Sequence, residues 1–486
     1  MRSPVPIRLA IALASTAASF VLAACAAGPT YSEPAPTTPA VWNAVLPHSG
    51  QVGTLRDWWQ QFDDPTVARL ITLAEADNPS LAKAWARIEQ ARATLVTTRA
   101  AGLPTFDGSA SLTRSRQQSM AGTLATSTAR SASLDSSWEI DLFAKARRNT
   151  EAADARAQAR VADWHDARVS LAAEVADTYV QYRACELLVD AYEREHLSTA
   201  ETERATAAAV RAGFSAQSDG ALARASLASA NSTLLSQRAQ CELLIKSLVD
   251  LTGRDELALR TLLSGGVAHV VRLPTPAGLE VQNVPAHALH QRPDLASLER
   301  ELAASSAEIG VAQADLYPSL SLSGSISISA SPGSSALTTW SLGPSLSIPL
   351  FDAGKRRAAV DSARASYQSA QADFRQGVRT AVKEVEQALV NLDSTARRAA
   401  EAERAADDYR RYFRATEANW RAGGESLLTL EEARRSALSA QINLITLQRD
   451  RVEYWIALYK ALGGGWQPGT AAASPDALTE ASKAKS

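Results

Sequence analysis

Beyond its N-terminal stretch the chain has no apolar run of ~18 residues or more, so no helix within it is apolar enough to cross a bilayer. Any membrane span must therefore be made of strands. Aromatic residues are scarce at 6%, although hydrophobic residues reach 46%; the difference is largely alanine, which suits closely packed helices. Charge of one sign is also missing. With a formal net charge of −2 nothing favours nucleic acid as a partner. No phosphate loop, paired-cysteine zinc motif or nucleophile elbow is present. The six histidines are scattered, and His287-x-x-His290 lacks a nearby carboxylate before Asp294. We therefore expect no enzyme activity, no cofactor and no metal. Residues 144–212 contain neither glycine nor proline, which leaves nothing to interrupt one very long helix.

What is present centres on residues 317–351. Ser319, Ser321, Ser323, Ser325, Ser327 and Ser329 alternate with Leu320, Leu322, Gly324, Ile326, Ile328 and Ala330. After a Pro-Gly-Ser turn the alternation resumes through Trp340, Leu342, Pro344, Leu346, Ile348 and Leu350, against Ser341, Ser345, Ser347 and Pro349. A period of two places these sets on opposite strand faces. About 12 residues at ~3.3 Å each, tilted by ~40°, span roughly the thickness of a bilayer's hydrocarbon layer. A second copy runs from Leu103 to Arg114 and from Ala132 to Leu142. Two hairpins give four strands, whereas a closed membrane barrel needs about eight or more, so other copies of the chain must complete the wall.

The order of the chain supports this. A basic start with an apolar core makes 1–24 a signal peptide, and Leu22-Ala23-Ala24-Cys25 matches a bacterial lipobox, with Cys25 acylated. Residues 25–56 form a lipidated tether, rich in proline. The first structural repeat is 57–253: helix, β-hairpin 103–143, long helix, tip near 211–219 and returning helix, with the entry helix broken near Asn78-Pro79. Ser215 or Ser218 can cap the returning helix. A connector occupies 254–291. The second repeat, 292–466, restates the first with hairpin 317–351 and a tip near 421–432, at an offset of roughly 210 residues. A disordered tail fills 467–486. Heptad positions Trp164, Leu171, Val175, Tyr182 and Cys185 form an apolar seam on the first long helix, as do Val378, Val385, Leu389 and Leu392 on the second. With hairpins and tips at opposite ends of such helices, a rod is expected. A lipid-anchored coiled-coil or adhesive rod without transport is the competing reading; hairpins of lipid-spanning length speak against it.

These residues resemble a known family. Cys25-Ala-Ala-Gly28-Pro29-Thr-Tyr31, Asp57-Trp58-Trp59, Trp138-Glu139-Ile140-Asp141-Leu142-Phe143, Arg292-Pro293-Asp294, Phe351-Asp352-Ala353-Gly354 and the run Leu458 to Trp466 look like the TolC-like outer membrane efflux proteins, in the NodT-type lipoprotein branch. The resemblance implies a mainly α fold with a membrane β-barrel. A homotrimer's twelve strands would form one barrel, continued by a periplasmic α-barrel of long antiparallel helices. It also implies the partners of a tripartite pump: a periplasmic adaptor (membrane fusion) protein and an inner-membrane transporter of the RND type. The location would be the outer membrane of a Gram-negative bacterium, with the acylated Cys25 in lipid. Two departures stand out: Ala144 where the family usually has glycine, and Glu425 and Glu432 where it often has aspartate.

A duct needs a wettable lumen, for which Ser319, Ser321, Ser323, Ser325, Ser327, Ser345 and Ser347 are the candidates. It also needs a closable end. The family's gate maps onto Glu425, with Glu432 and Asp219 as secondary candidates, since one acid per copy around an axis makes a cation-favouring ring. The plainer account is that an acid in a first helical turn answers the helix dipole and needs no further role. Cys185 and Cys241 flank the first tip almost evenly, as a disulfide or as two buried thiols.

Overall fold

The computed structural model describes residues 27–35, 38–46, 55, 58–118, 124–264, 272–276, 289–331 and 335–469. The signal segment, Cys25, tether residues 36–37, 47–54 and 56, His287 and the tail beyond residue 469 lie outside the described residues.

Two matched series of elements follow one another. The first is α1 (Thr66–Asp77), α2 (Pro79–Ala100), β1 (Thr105–Gln118), β2 (Leu124–Ile140), α3 (Lys145–Arg211) and α4 (Gln217–Thr252). A short α5 (Glu256–Ser264) precedes the second: α6 (Pro293–Ala314), β3 (Ser319–Ala330), β4 (Leu337–Ser347), α7 (Lys355–Arg421) and α8 (Leu427–Ala461). Both α2 and α6 have 22 residues, both α3 and α7 have 67, and α4 and α8 have 36 and 35. No described helix is long and apolar enough to cross a membrane.

Local chemistry explains the joints. Asn78 separates α1 from α2 by capping: its Oδ1 accepts from the Ser80 N–H at 2.9 Å, and Pro79 occupies the first turn, where an N–H is dispensable. The tips after α3 and α7 use the same device, a glycine at φ 80° in Gly213 and in Gly423. Their onward caps differ. Ser426 accepts from the Thr429 N–H at 3.1 Å, whereas α4 has Ala216 at its cap position and no side-chain cap. Ser215 falls one residue too early for that role and Ser218 is already helical.

The four strands form one antiparallel sheet in the order β1-β2-β3-β4. Strand ends depart from the alternation in two ways. The first hairpin runs on past Arg114 to Gln118 and returns from Leu124, held by the ladder Thr113↔Ala129 to Gln118↔Leu124 where neither face is apolar. Conversely β4 stops at Ser347, because Pro349 has no N–H to offer and restricts Ile348 before it.

By contacts the chain divides into two units, each drawing on both halves of the sequence. One comprises residues 1–35, 87–161 and 297–375. It holds the sheet and an alanine-lined helix contact, Ala152 and Ala155 of α3 against Ala303, Ala304 and Ala307 of α6. Side chains this small let helix axes approach closely. The other unit comprises 36–86, 162–296 and 376–486. Its large core includes Trp58, Val67, Leu70, Val175, Tyr179, Leu248, Leu389 and Leu458, all with at most 0% exposure.

Candidate functional site

Because directly opposed residues in an antiparallel ladder share a face, the register sorts the whole sheet by residue parity. Even-numbered rows read Ile140–Leu320–Leu346, Trp138–Leu322–Pro344 and Gly108–Leu134–Ile326–Trp340. This face is apolar and open, with Trp340 77% exposed. Odd-numbered rows read Ser109–Ser133–Ser327–Thr339 and Glu139–Ser321–Ser345. All seven candidate lumen serines lie on this polar face, and hydroxyls pair across it, as in Ser325–Ser341 at 2.9 Å and Ser109–Ser133 at 2.9 Å. Asp107, Asp135 and Glu139 join them, and Asp107 stands directly opposite Asp135. Their odd parity, shared with the serines, is the feature of the sequence that puts them on this face.

Among the described residues the outer strands β1 and β4 have one ladder partner each, so each presents a sheet edge. Pro344 sits on β4, where an edge position tolerates a residue with no N–H.

At the tips Glu425 and Glu432 are exposed and Asp219 is half-buried. Asp219 lies in the first turn of α4, where the helix dipole alone accounts for it. Glu425 does not fit that account, since it precedes the Ser426 cap and the first turn of α8 contains no acid. Arg434, in the early turns of α8, is a further residue of this region. This buried guanidinium binds Glu431, donates to Thr202 Oγ1 at 2.7 Å and lies 5.5 Å over the Phe413 ring, tying the start of α8 to α3 and α7. The spacing Glu431-x-x-Arg434 was its trace in the sequence.

Other motif residues hold helices together. Arg292 is buried, bidentate to Asp294 at 2.7 and 3.0 Å, and reaches the Ala461 carbonyl and Glu384, both at 2.8 Å. Tyr179 donates to Asp64 Oδ2 at 2.5 Å while the Thr66 N–H donates to Oδ1 at 2.9 Å. Burial alone would raise the Asp64 carboxyl, but these bonds and Arg183 hold it below the usual range. Glu453 behaves oppositely: burial, helped by Asp177 and opposed by Arg449, pushes it up to about 7. Cys185 of α3 and Cys241 of α4 lie with sulfurs 2.08 Å and Cα atoms 5.6 Å apart. Among the described residues, no group of three or more His, Cys, Asp or Glu stands together as metal ligands would.

Residues 27–31 are also fixed. The Ala27 N–H donates to the Phe143 carbonyl at 3.3 Å, Arg148 Nε donates to the Ala27 carbonyl at 3.2 Å, and the Tyr31 hydroxyl bonds Glu299. A Cβ added to Gly28 would meet the Gly310 Cα at 2.3 Å, so two glycines permit this crossing.

Comparison with known proteins agrees with this construction. The family described as outer membrane efflux protein matches residues 70–254 and 284–464, one match on each half. The solvent efflux pump outer membrane protein SrpC of Pseudomonas putida is 31% identical over 92% of this chain and 97% of its own. Nodulation protein T of Rhizobium leguminosarum bv. trifolii is 29% identical over 93% and 96%. The solved outer-membrane channel OprN, 32% identical, superposes with a TM-score of 0.78 over 91% of this chain and 99% of that one. A mainly helical chain whose one sheet is polar on one face and apolar on the other thus has the α-barrel-plus-β-barrel channel fold, and it belongs to the outer membrane efflux protein family as a passive channel component, not an enzyme.

Proposed function

We propose that three copies close their sheets into one twelve-stranded barrel and form the exit duct of a tripartite pump for small exported molecules. The observation that carries this is the four-stranded sheet with opposite faces and two unpaired edges. Backbone groups left unpaired in hydrocarbon cost several kcal/mol each, so a lipid-embedded sheet must find partners for β1 and β4. The meander has an even number of strands, so β4 of one copy meets β1 of the next antiparallel and the ladder continues around the ring. The serine face then lines a wettable lumen and the apolar face meets lipid.

The helices continue as a tube across the periplasm, where an adaptor protein docks and couples the duct to an RND-type transporter. At the tips, copies of Glu425 form a cation-favouring ring, with Glu432 and Asp219 contributing. Acylated Cys25 adds a lipid anchor; it stands two residues before Ala27, within ~7 Å of chain, and Ala27 is held beside the end of β2. The cargo is not fixed by kinship, since relatives carry names as different as solvent efflux and nodulation.

Single-channel recording from the lipidated chain in planar bilayers tests this reading. The expected result is an oligomer that resists detergent and conducts, with Glu425→Ala losing cation preference and divalent block. A monomer that stays outside the bilayer would overturn the duct; an unchanged Glu425→Ala channel would remove that residue from the gate.

A further inference from the structure

The charged residues of the sheet sort by sign as well as by face. Every charge on the odd-numbered, polar face is acidic: Asp107, Asp135 and Glu139. Every charge on the even-numbered, apolar face is basic: Arg114, Arg116 and Arg130. The arginines also share a height. Arg130 pairs with Leu112 and Ala330 in the row just beyond the last four-stranded one, and Arg114 and Arg116 follow in the next two rows of that face, opposite Thr128 and Thr126.

The apolar rows below them, from Leu320 to Ile328, rise about 26 Å along the strand, or about 20 Å at a ~40° tilt, most of the ~25 Å height of the apolar band on membrane barrels. The arginines begin where that band stops. Arg114 is the diagonal cross-strand neighbour of Arg130, about 7–8 Å away, and Arg116 is one same-face step beyond Arg114. All three are exposed, and none forms an ion pair among the described residues.

Solubility alone would ask only for polar groups around the loop end, without regard to face or sign. At the same height the opposite face carries neutral Thr113, Ser115 and Ser127. Three guanidiniums confined to the outward face, directly above the apolar band, are complementary to clustered anionic oxygens at the level of lipid headgroups. Guanidinium forks suit phosphate in particular, being able to bind two of its oxygens at once. We infer that Arg114, Arg116 and Arg130 form a docking surface for the phosphorylated sugar headgroups of outer-leaflet glycolipid. The inference rests on the reading that the sheet spans the outer membrane with its turns outward.

Binding of diphosphoryl lipid A to the purified full-length oligomer, counted by native mass spectrometry, tests it. Dephosphorylated lipid A and phosphatidylglycerol serve as competing probes. We expect the wild-type chain to retain lipid A and R114Q/R116Q/R130Q to bind it on the order of tenfold or more weakly. R114K/R116K/R130K, which keeps the charge and loses the two-oxygen grip, should bind between the wild type and the glutamine variant, and dephosphorylated lipid A should bind the wild type as poorly as lipid A binds the glutamine variant. Conductance in planar bilayers, recorded alongside, should be the same for all three proteins. Equal lipid A binding by wild type and the glutamine variant, with both conducting, would overturn the arginine surface alone. Phosphatidylglycerol bound as tightly as lipid A would overturn the glycolipid assignment. A wild-type chain that neither inserts nor conducts would remove the underlying channel reading and this inference with it.

Discussion

Gly28 lies against Gly310 so closely that a methyl on Gly310 would sit 2.9 Å from the Ala27 carbonyl oxygen and 3.0 Å from Arg148 Cγ. Two effects compete in Gly310→Ala. Alanine favours helix α6 by about 1 kcal/mol over glycine, while overpacking a close crossing costs about 1–3 kcal/mol. The clash should win. We predict a net loss of about 1 kcal/mol and release of residues 27–31, seen as faster proteolytic cleavage ahead of Glu33. A more stable variant with an equally protected segment would contradict this.

Among the described residues two that are not glycine adopt left-handed backbone, Ala144 at φ 63° and Ala353 at φ 54°, one before each long helix. A side chain in that region costs roughly 1–2 kcal/mol. Ala353 is exposed, so Ala353→Gly should stabilise by about 1 kcal/mol, read as a rise in melting temperature. Ala144 is only 5% exposed, and losing its buried methyl, worth about 0.8 kcal/mol, should offset most of the gain there. Ala144→Gly should therefore be nearly neutral.

The Cys185–Cys241 pair closes a segment with a sequence separation of 56 between α3 and α4. A crosslink of that span stabilises by about 2–4 kcal/mol through the unfolded chain. Alkylation of denatured protein without reductant should leave both thiols unmodified, and Cys185→Ser with Cys241→Ser should lower the melting temperature. Two alkylated thiols at these positions would exclude the bond.

Glu453 has a folded value of about 7, above its ordinary 4.5. The folded state thus holds a proton there that the unfolded chain has lost between those two values. Stability from this group is full below about pH 4.5 and is lost as pH rises through 7. Asp177, also raised by burial, acts in the same direction. Unfolding of the wild type should occur at a lower temperature at pH 8 than at pH 5. Glu453→Gln, which cannot ionise, should narrow that gap mainly by gaining stability at pH 8. An unchanged gap would remove Glu453 as its source.

Periodicity made much of this legible in advance. Ser319 to Ala330 alternates cleanly because one face is shaped for lipid, and the Asn78-Pro79 break and the Gly213 and Gly423 turns each have a local cause. Where the cause was not local, the sequence was silent. Residues 115–118 and 124–131 are strand through backbone pairing alone, above the apolar band, so no hydrophobic pattern marks them. Arg434 and Thr202 lie far apart in the chain and meet only when α8 packs on α3. The Gly28–Gly310 crossing likewise depends on two surfaces that neither glycine specifies alone.

The two free edges of the sheet are different strands, 14 residues in β1 and 11 in β4. In the proposed ring, copies inserted with the same polarity join head to tail, in a cyclic arrangement whose contacts are heterologous. Each subunit supplies one side of two different seams, so a copy spoiled at either strand breaks any ring that recruits it. Expressed in equal amounts with normal copies, such a subunit would leave only about one three-membered ring in eight unspoiled, and the defect would behave as genetically dominant.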